Sequence, residues 1–390
     1  MNTLNNTLYN IFQYGLGEDT WQEWVDRYAE KYDTFDVEGF DFAPVQISYT
    51  FAQLLATSGA TSLPAYVDPE SPGYETALHE VQGVTGNIPT MKKYYRLNRV
   101  VLQEQMALVE KLGGNGISAE MQNVFMKLLD EGTDGLIQSY YNALTHQRHQ
   151  IVSTGAFTID TVNNPRGLKG ITLQFVNASN ISALSGTARW WTNATRTTEG
   201  SASDPIKDMK DKVKSIRRDS HYYGGLHIEM AQDLFDDLTS HSKVLTRIGH
   251  YLYPTIDADA TALSYAQNLA DDAIKNAIEK LVGAKIVVRD TYAYVDTPNT
   301  DEHDLVQTQI DNFKVVNVAF VPDGKLGDIM GVSPLTLGYD PEKVAKYNDG
   351  RLVLSQRAIP ETHSIYIESE AAQLCVPSLS RYMFIMTVSA

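Results

Sequence analysis

Apolar residues recur at helical spacing in several stretches of the chain, and each stretch predicts an element. Between Glu18 and Tyr32, Trp21, Trp24, Val25 and Tyr28 stand at i, i+3, i+4 and i+7, which predicts a short helix. A helix this small on an Asn-rich leader cannot bury its stripe alone. It is an arm that docks on the body or on a neighbouring subunit. From Ser118, a favourable N-cap, a stripe of Met121, Phe125, Leu128, Leu129, Leu136, Ile137, Tyr140, Tyr141 and Leu144 runs towards His149. About 30 residues of helix make a rod of about 45 Å. Gly132 and Gly135 weaken it without breaking it. Asp204 caps a further helix with Pro205 at its first position, and Ile206, Met209, Val213 and Ile216 form its apolar face. AQDLFDDLTSHSKVLTRIGHYL reads as helix, and Leu269 to Leu281 as another.

Alternating and continuous apolar runs predict the strands. FDFAPVQISYTF, within residues 39 to 65, has β character. Pro69, Pro72, Gly73, Gly83, Gly86 and Pro89 then punctuate a long extended hairpin or loop. An excursion of that length is usually functional or laid against a partner. Ala156 to Val162 and Leu168 to Val176 flank Asn-Asn-Pro-Arg-Gly as a hairpin. LHIEM, KIVVRDTYAYVD and KVVNVAFVP supply strands within an α/β unit, and the apolar run Arg381 to Val388 closes the chain as a last strand.

At 390 residues the chain exceeds what one hydrophobic core usually supports, so two or three sub-domains are expected. The single cysteine, Cys375, excludes an intramolecular disulfide and a Cys-based zinc site, and fits a protein assembled in the cytosol. No apolar run reaches the ~20 residues of a membrane helix, and the N-terminus lacks the pattern of a signal peptide. A net charge of −16 argues against sequence-specific nucleic-acid binding, though not against a protein that encloses nucleic acid. Twenty-two tyrosines suit surfaces that become interfaces.

Candidate chemistry is sparse. GxGxxG, GxxxxGK[ST], HExxH and GxSxG are all missing from the sequence. His146 and His149 could share a metal on one helix face, but no third ligand stands at suitable spacing, and a solvated helix end is preferred. Asp301, Glu302, His303 and Asp304 read as a solvated loop. Asp257 and Asp259 lack the Gly and distal Glu of a calcium loop. Asp236-Asp237 and Asp271-Asp272 are neighbours that point to different faces, so neither is an acid/base pair. Cys375 is preferred as a core or surface residue over a nucleophile paired with His363. Trp190 and Trp191 could stack on a sugar or base. In a strand one would face the core and the other outward, so core plus interface is preferred to a ligand platform.

The order of these elements resembles the major capsid protein of tailed bacteriophages, the Hong Kong 97-type fold, and especially its lambda-type branch. Four local patterns carry the resemblance: a helix running into STGAFTIDTVNNPRGLKGITLQF; RWWTN followed by a polar loop and DPIKDMKDKVKSI; GLHIEMAQDLFDDLTSHSKVLTRI; and VAFVPDGKLGDIMGVSPLTLG. The resemblance covers most of residues 40 to 390. The resemblance implies an α+β fold with an N-terminal arm at 1–38, then the start of a peripheral domain at 39–116 holding an extension loop at about 66–100. The spine helix and hairpin of that domain would occupy 117–205, an axial domain 206–375, and a closing peripheral strand 376–390.

It further implies a virion protein that is not an enzyme and needs no cofactor or metal. Such a protein assembles with itself into hexamers and pentamers in the host bacterial cytoplasm, forming an icosahedral head around double-stranded DNA. The expected partners are other copies, a portal protein, decoration or head-stabilising proteins, and a separate scaffolding protein, because residues 1–38 are too short to be a scaffolding segment. No membrane is involved. Subunit-interface candidates are Trp21, Trp24, Tyr74, Lys92, Lys93, Tyr94, Trp190 and Trp191. Lys92 and Lys93 lie near the loop where some members form a cross-link, but nothing marks a catalytic acid for that reaction. The alternatives are an encapsulin-like compartment shell on the same fold, and a carbohydrate-binding or enzyme domain using Trp190 and Trp191.

Overall fold

A computed structural model describes residues 37–55, 82–98, 135–298, 305–334, 344–359, 361 and 364–389. The fold is α+β, and its chain packs as two compact units. Of the described residues, one unit holds those within 1–51, 86–145 and 328–376, and the other those within 52–85, 146–327 and 377–390. This is a division by packing. The expected arm, loop, peripheral and axial segments divide the chain by role in an assembly, and one partition does not decide the other.

In the first unit, strands β1 (Phe40–Phe42), β13 (Gly327–Val332), β16 (Ser364–Pro377), β15 (Leu352–Ile359) and β14 (Val344–Tyr347) form a sheet in that order. Strand β4 (Thr90–Asn98) adds to β16 antiparallel, from Thr90↔Ala372 to Asn98↔Ser364. Leu136, Ile137, Tyr140, Tyr141 and Leu144 of helix α1 (Leu136–Thr154) are buried. The tyrosine tips find partners as burial demands: Tyr140 donates to Gln373 at 2.8 Å, and the Tyr141 and Tyr347 hydroxyls lie 2.8 Å apart. Cys375 is a core residue with its Sγ 3.7 Å from the Leu144 carbonyl; His363, its proposed partner, lies outside the described residues.

In the second unit the sheet order is β7 (Ile181–Ala183), β17 (Phe384–Thr387), β12 (Asn317–Pro322), β8 (Leu226–Ala231), β9 (Lys285–Arg289). The two outer pairings are parallel and the two inner ones antiparallel. Helices α2 (Pro205–Asp219), α3 (Gln232–Ser240), α4 (Ser242–Leu252) and α6 (Asp271–Val282) join the core on one face, with Leu226, Ile228 and Met230 pointing into it. The short helix α5 (Asp259–Ala266) packs on α4. The last part of α1 lies on the other face, where Asn317 donates to the Ser153 carbonyl at 2.7 Å. Two further antiparallel pairs stand as separate two-stranded sheets: β5 (Ala156–Ile159) with β6 (Ile171–Gln174), and β10 (Tyr292–Pro298) with β11 (Leu305–Asp311). Strands β2 (Thr50–Leu55) and β3 (Gln82–Asn87) form a further two-stranded sheet.

Several expected elements differ from the observed ones. The long helix continues past His149 to Thr154, because Ile151 and Val152 extend its buried stripe; its first expected part, 118–134, lies outside the described residues. It stops at Gly155, whose φ of +81° suits only glycine and whose added Cβ would lie 2.9 Å from Val176 Cβ. The stretch read as one helix from Ala231 to Leu252 is two. His241, with ψ of 123°, ends α3 and starts α4, and the Ser242 N–H freed by the break donates to Glu199 Oε1 at 2.7 Å. KIVVRDTYAYVD also divides: β9 stays in the sheet and β10 leaves at Asp290-Thr291. The closing strand is shorter than Arg381 to Val388, since Ser380–Tyr382 forms a 3-10 turn.

Candidate functional site

Among the predicted interface residues, Trp21, Trp24 and Tyr74 lie outside the described residues. Lys92, Lys93 and Tyr94 sit together on β4, and the strand's alternation separates them. Lys92 and Tyr94 face out, with Tyr94 58% exposed, while Lys93 turns to the half-buried face. Register places Lys92 opposite Glu370, and its Nζ is 2.9 Å from that carboxylate. Tyr94 tilts against Tyr366 at 6.0 Å, and Lys93 lies over the Tyr95 ring at 5.5 Å. The first two are ordinary cross-strand contacts, and the third lies within β4 itself.

Trp190 and Trp191 do not divide between core and surface as a strand would require. A 3-10 turn at Gly186–Ala188 precedes them, and both are buried, at 0% and 2% exposure. They meet edge to face at 6.1 Å, Trp190 Nε1 donates to Asp208 at 3.0 Å, and Trp191 packs on the His241 ring at 5.5 Å. Burial is the largest influence on the Asp208 carboxyl and raises its pKa, partly opposed by that indole bond. Gly200 passes so close beneath that an added Cβ would stand 2.1 Å from the Arg189 carbonyl oxygen and 2.4 Å from that of Thr187. Within this chain both indoles are core residues.

The polar loop behind them has partners in its own chain. Asn193 Oδ1 accepts from the Thr197 and Thr198 N–H groups at 3.1 and 2.9 Å. Arg196 pairs with Asp237, and the Ser242 hydroxyl donates to Glu199. Lys243 donates to the Ser201 and Ser203 carbonyls at 2.6 and 2.9 Å, and Arg247 pairs with Asp204 at 3.0 Å. Within it Ser203, His241 and Glu199 fall in the order of a hydrolytic triad. Ser203 Oγ is 3.2 Å from His241 Nε2, and His241 Nδ1 is 3.8 Å from Glu199. The chemistry does not follow. Ser203 is 1% exposed and donates to the Gly200 carbonyl at 2.7 Å, and the second gap is too long for a hydrogen bond. This is a fastener for α3 and α4.

The densest charged group in the second unit is one the sequence did not announce. Glu229 on β8 is fully buried and points away from the apolar core. Arg148 of α1 grips its two oxygens at 2.7 and 2.5 Å, and Arg289 of β9 does so at 2.9 and 3.0 Å. His227 Nε2 lies 3.0 Å from Glu229 Oε1, and its Nδ1 lies 2.6 Å from Asp323. Burial alone would raise the Glu229 pKa. The Arg148 charge and the bonds from His227, Arg148 and Arg289 outweigh it and hold the carboxyl well below its usual range. Burial likewise pushes His227 down, but its two carboxylate partners bring it above its ordinary value. The THQRHQ segment is therefore not a solvated helix end: Gln147, Arg148 and His149 are buried, and His146 bonds Asn312 at 2.8 Å. Among the described residues no cluster could hold a metal ion. Arg148 is spaced on the buried stripe of Leu144, Ile151 and Val152, which was the available signal for a hidden carboxylate partner.

Several tyrosines are exposed. Tyr223 is 80% exposed, Tyr253 and Tyr265 meet at a tilt with ring centroids 5.3 Å apart near the ends of α4 and α5, and Tyr292 and Tyr294 line the isolated β10–β11 ribbon. Among the described residues no helix is long and apolar enough to cross a membrane.

No protein-family model and no curated protein matches this chain. Solved structures do resemble it. A phage-related protein from Bordetella bronchiseptica RB50 is 15% identical over 93% of this chain and 95% of that one, with a TM-score of 0.41. A chain of the satellite phage P4 procapsid is 10% identical over 95% and 90%, at 0.44, and one of the bacteriophage PhiM1 mature capsid is 10% identical over 90% and 85%, at 0.38. Likenesses of this size carry nothing about activity or partners from those chains to this one.

Proposed function

We propose that this chain is a shell-forming structural protein, the major capsid protein of a tailed-phage head with the Hong Kong 97-type fold. The observation that carries the reading is the order of elements: a long helix, Leu136–Thr154, runs straight into the hairpin 156–174, then the buried Trp pair, the Asp-Pro-opened helix, and a mixed sheet finished by the last strand, Phe384–Thr387. Exposed tyrosines on separate elements support it, since a closed shell needs several self-complementary patches on each subunit. In this role the chain forms hexamers and pentamers in the bacterial cytoplasm and encloses double-stranded DNA in the virion. It works with a portal protein, a separate scaffolding protein and head-stabilising proteins.

Size-exclusion chromatography and electron microscopy of the purified full chain test this. Capsomers or closed particles are expected. A monomer that forms neither, with or without co-expressed scaffolding protein, refutes it.

A further inference from the structure

Helix α2 is electrostatically unlike the chain that contains it. Its sequence, PIKDMKDKVKSIRRD, holds six Lys or Arg and three Asp, a net of three positive charges in a protein whose net charge is −16. At 3.6 residues per turn, Lys207, Lys210, Lys214, Arg217 and Arg218 fall within an arc of about 100°. That arc lies beside the buried stripe of Ile206, Met209, Val213 and Ile216. The sixth cation, Lys212, is off the arc and half-buried, its Nζ 4.8 Å from the Phe384 ring centroid.

Four of the five cations on the stripe are exposed and Lys210 is partly so. Asp211 neighbours Lys214 at 3.9 Å and Asp219 bonds Arg218 at 2.7 Å. Among the described residues Lys207, Lys210 and Arg217 have no ion pair. The face therefore carries five cations, three of them without an ion pair, and is held rigid by the apolar stripe beside it.

We infer that this stripe binds the phosphodiester backbone of double-stranded DNA without regard to sequence. From Lys207 to Arg218 the helix advances about 16 Å. One strand of a duplex presents a phosphate about every 3.4 Å along its axis, so the stripe spans about five of them. Carboxylates on a second copy of this acidic chain are the competing occupant. They would be met at discrete points, whereas a row of five cations, three of them without an ion pair, matches a continuous row of phosphates. The inference rests on the shell reading for the presence of DNA beside the protein.

The test is fluorescence anisotropy of the full chain with a labelled duplex of arbitrary sequence, between about 50 and 200 mM salt. Five phosphate contacts give a log–log salt slope of about −4.5, a weakening of about 500-fold over that range. The variant K207Q/K210Q/R217Q, with two contacts left, is expected to show a slope of about −1.8 and to weaken only about 12-fold. A control of equal charge change at exposed lysines elsewhere, K169Q/K280Q/K285Q, keeps the wild-type slope. Circular dichroism checks folding, and K210Q alone, expected to lower the slope by about 0.9, serves if the triple variant does not fold.

Equal slopes for the stripe variant and the control overturn the proposal, as does a stripe variant that binds DNA like wild type. So does a stripe variant that loses only self-association on sizing, because the occupant is then a second copy. Microscopy separates the two failures: particles without stripe-dependent DNA binding sink this inference and leave the shell reading standing.

Discussion

Replacing Glu229 by Gln removes the one negative charge shared by Arg148 and Arg289. The variant leaves two guanidinium groups, with side chains 3% and 13% exposed, facing a neutral amide. Breaking a buried pair by neutralising one partner costs about 3–5 kcal/mol, because the remaining charge stays desolvated. Arg148→Met should cost less, about 1.5–3 kcal/mol, since Glu229 keeps Arg289 and His227. The double variant should lose less than the sum, with a coupling of about 0.5–3 kcal/mol. Urea unfolding followed by tryptophan emission measures this in a Trp21→Phe, Trp24→Phe background, where the signal comes from Trp190 and Trp191 in the same unit's core. With m of about 1–3 kcal/mol/M, the Glu229→Gln midpoint should fall by about 1 M or more. A loss under about 1 kcal/mol, or strict additivity with Arg148→Met, would refute the idea that this carboxylate holds α1 to the sheet. The deficit is also pH-dependent. A lowered folded pKa contributes stability present above the unfolded Glu value of about 4.3 and lost as pH falls through the folded value, so wild type and variant should converge in acid.

Three further outcomes follow from other sites. His227, with its folded pKa raised, contributes stability that is full below about pH 6.5 and lost as pH rises through the folded value; His227→Gln should flatten that decline in urea midpoints taken across this range. Gly200→Ala forces a Cβ against two carbonyl oxygens and should cost about 1–3 kcal/mol, read as a lower thermal midpoint; an unchanged midpoint would show that the turn relaxes freely. Tyr223→Ser and Tyr94→Ser, both at exposed positions, should leave unfolding within about 0.5 kcal/mol of wild type while lowering the yield of assembled particles on a sizing column.

What could be read in the chain divides by the distance over which each element is decided. Helix α2 was fully legible: Asp204 accepts from the Lys207 N–H, Pro205 sits at the first turn, and the four expected apolar residues are the buried ones. The hairpin at 156–174 was legible because its turn residues lie between its own strands. The break at His241 was not, since the group that takes the freed Ser242 N–H is Glu199, 43 residues upstream. The expected split of Trp190 and Trp191 between core and surface does not occur, because period-two logic holds only in a strand, and the backbone there makes only isolated bridges, from Trp191 to Glu199 and to Ser389, on the way into a loop. Arg148 and Glu229 stand 81 residues apart, and neither residue's neighbours point to the other. Local signals were sufficient wherever capping and periodicity decided the element, and insufficient wherever a distant side chain did.

The loop from Arg189 to Asp204 has a consequence for mixed populations of related chains. Its fasteners lie in α3 and α4 of the same molecule, at Asp237, His241, Ser242, Lys243 and Arg247. Loop and helices thus form a closed cassette, able to drift or be transplanted between homologues as one block. Each chain keeps its own loop-to-helix pairs, whichever version it carries. Exchanging the loop by itself, with the host's helices left in place, would strand half of each pair.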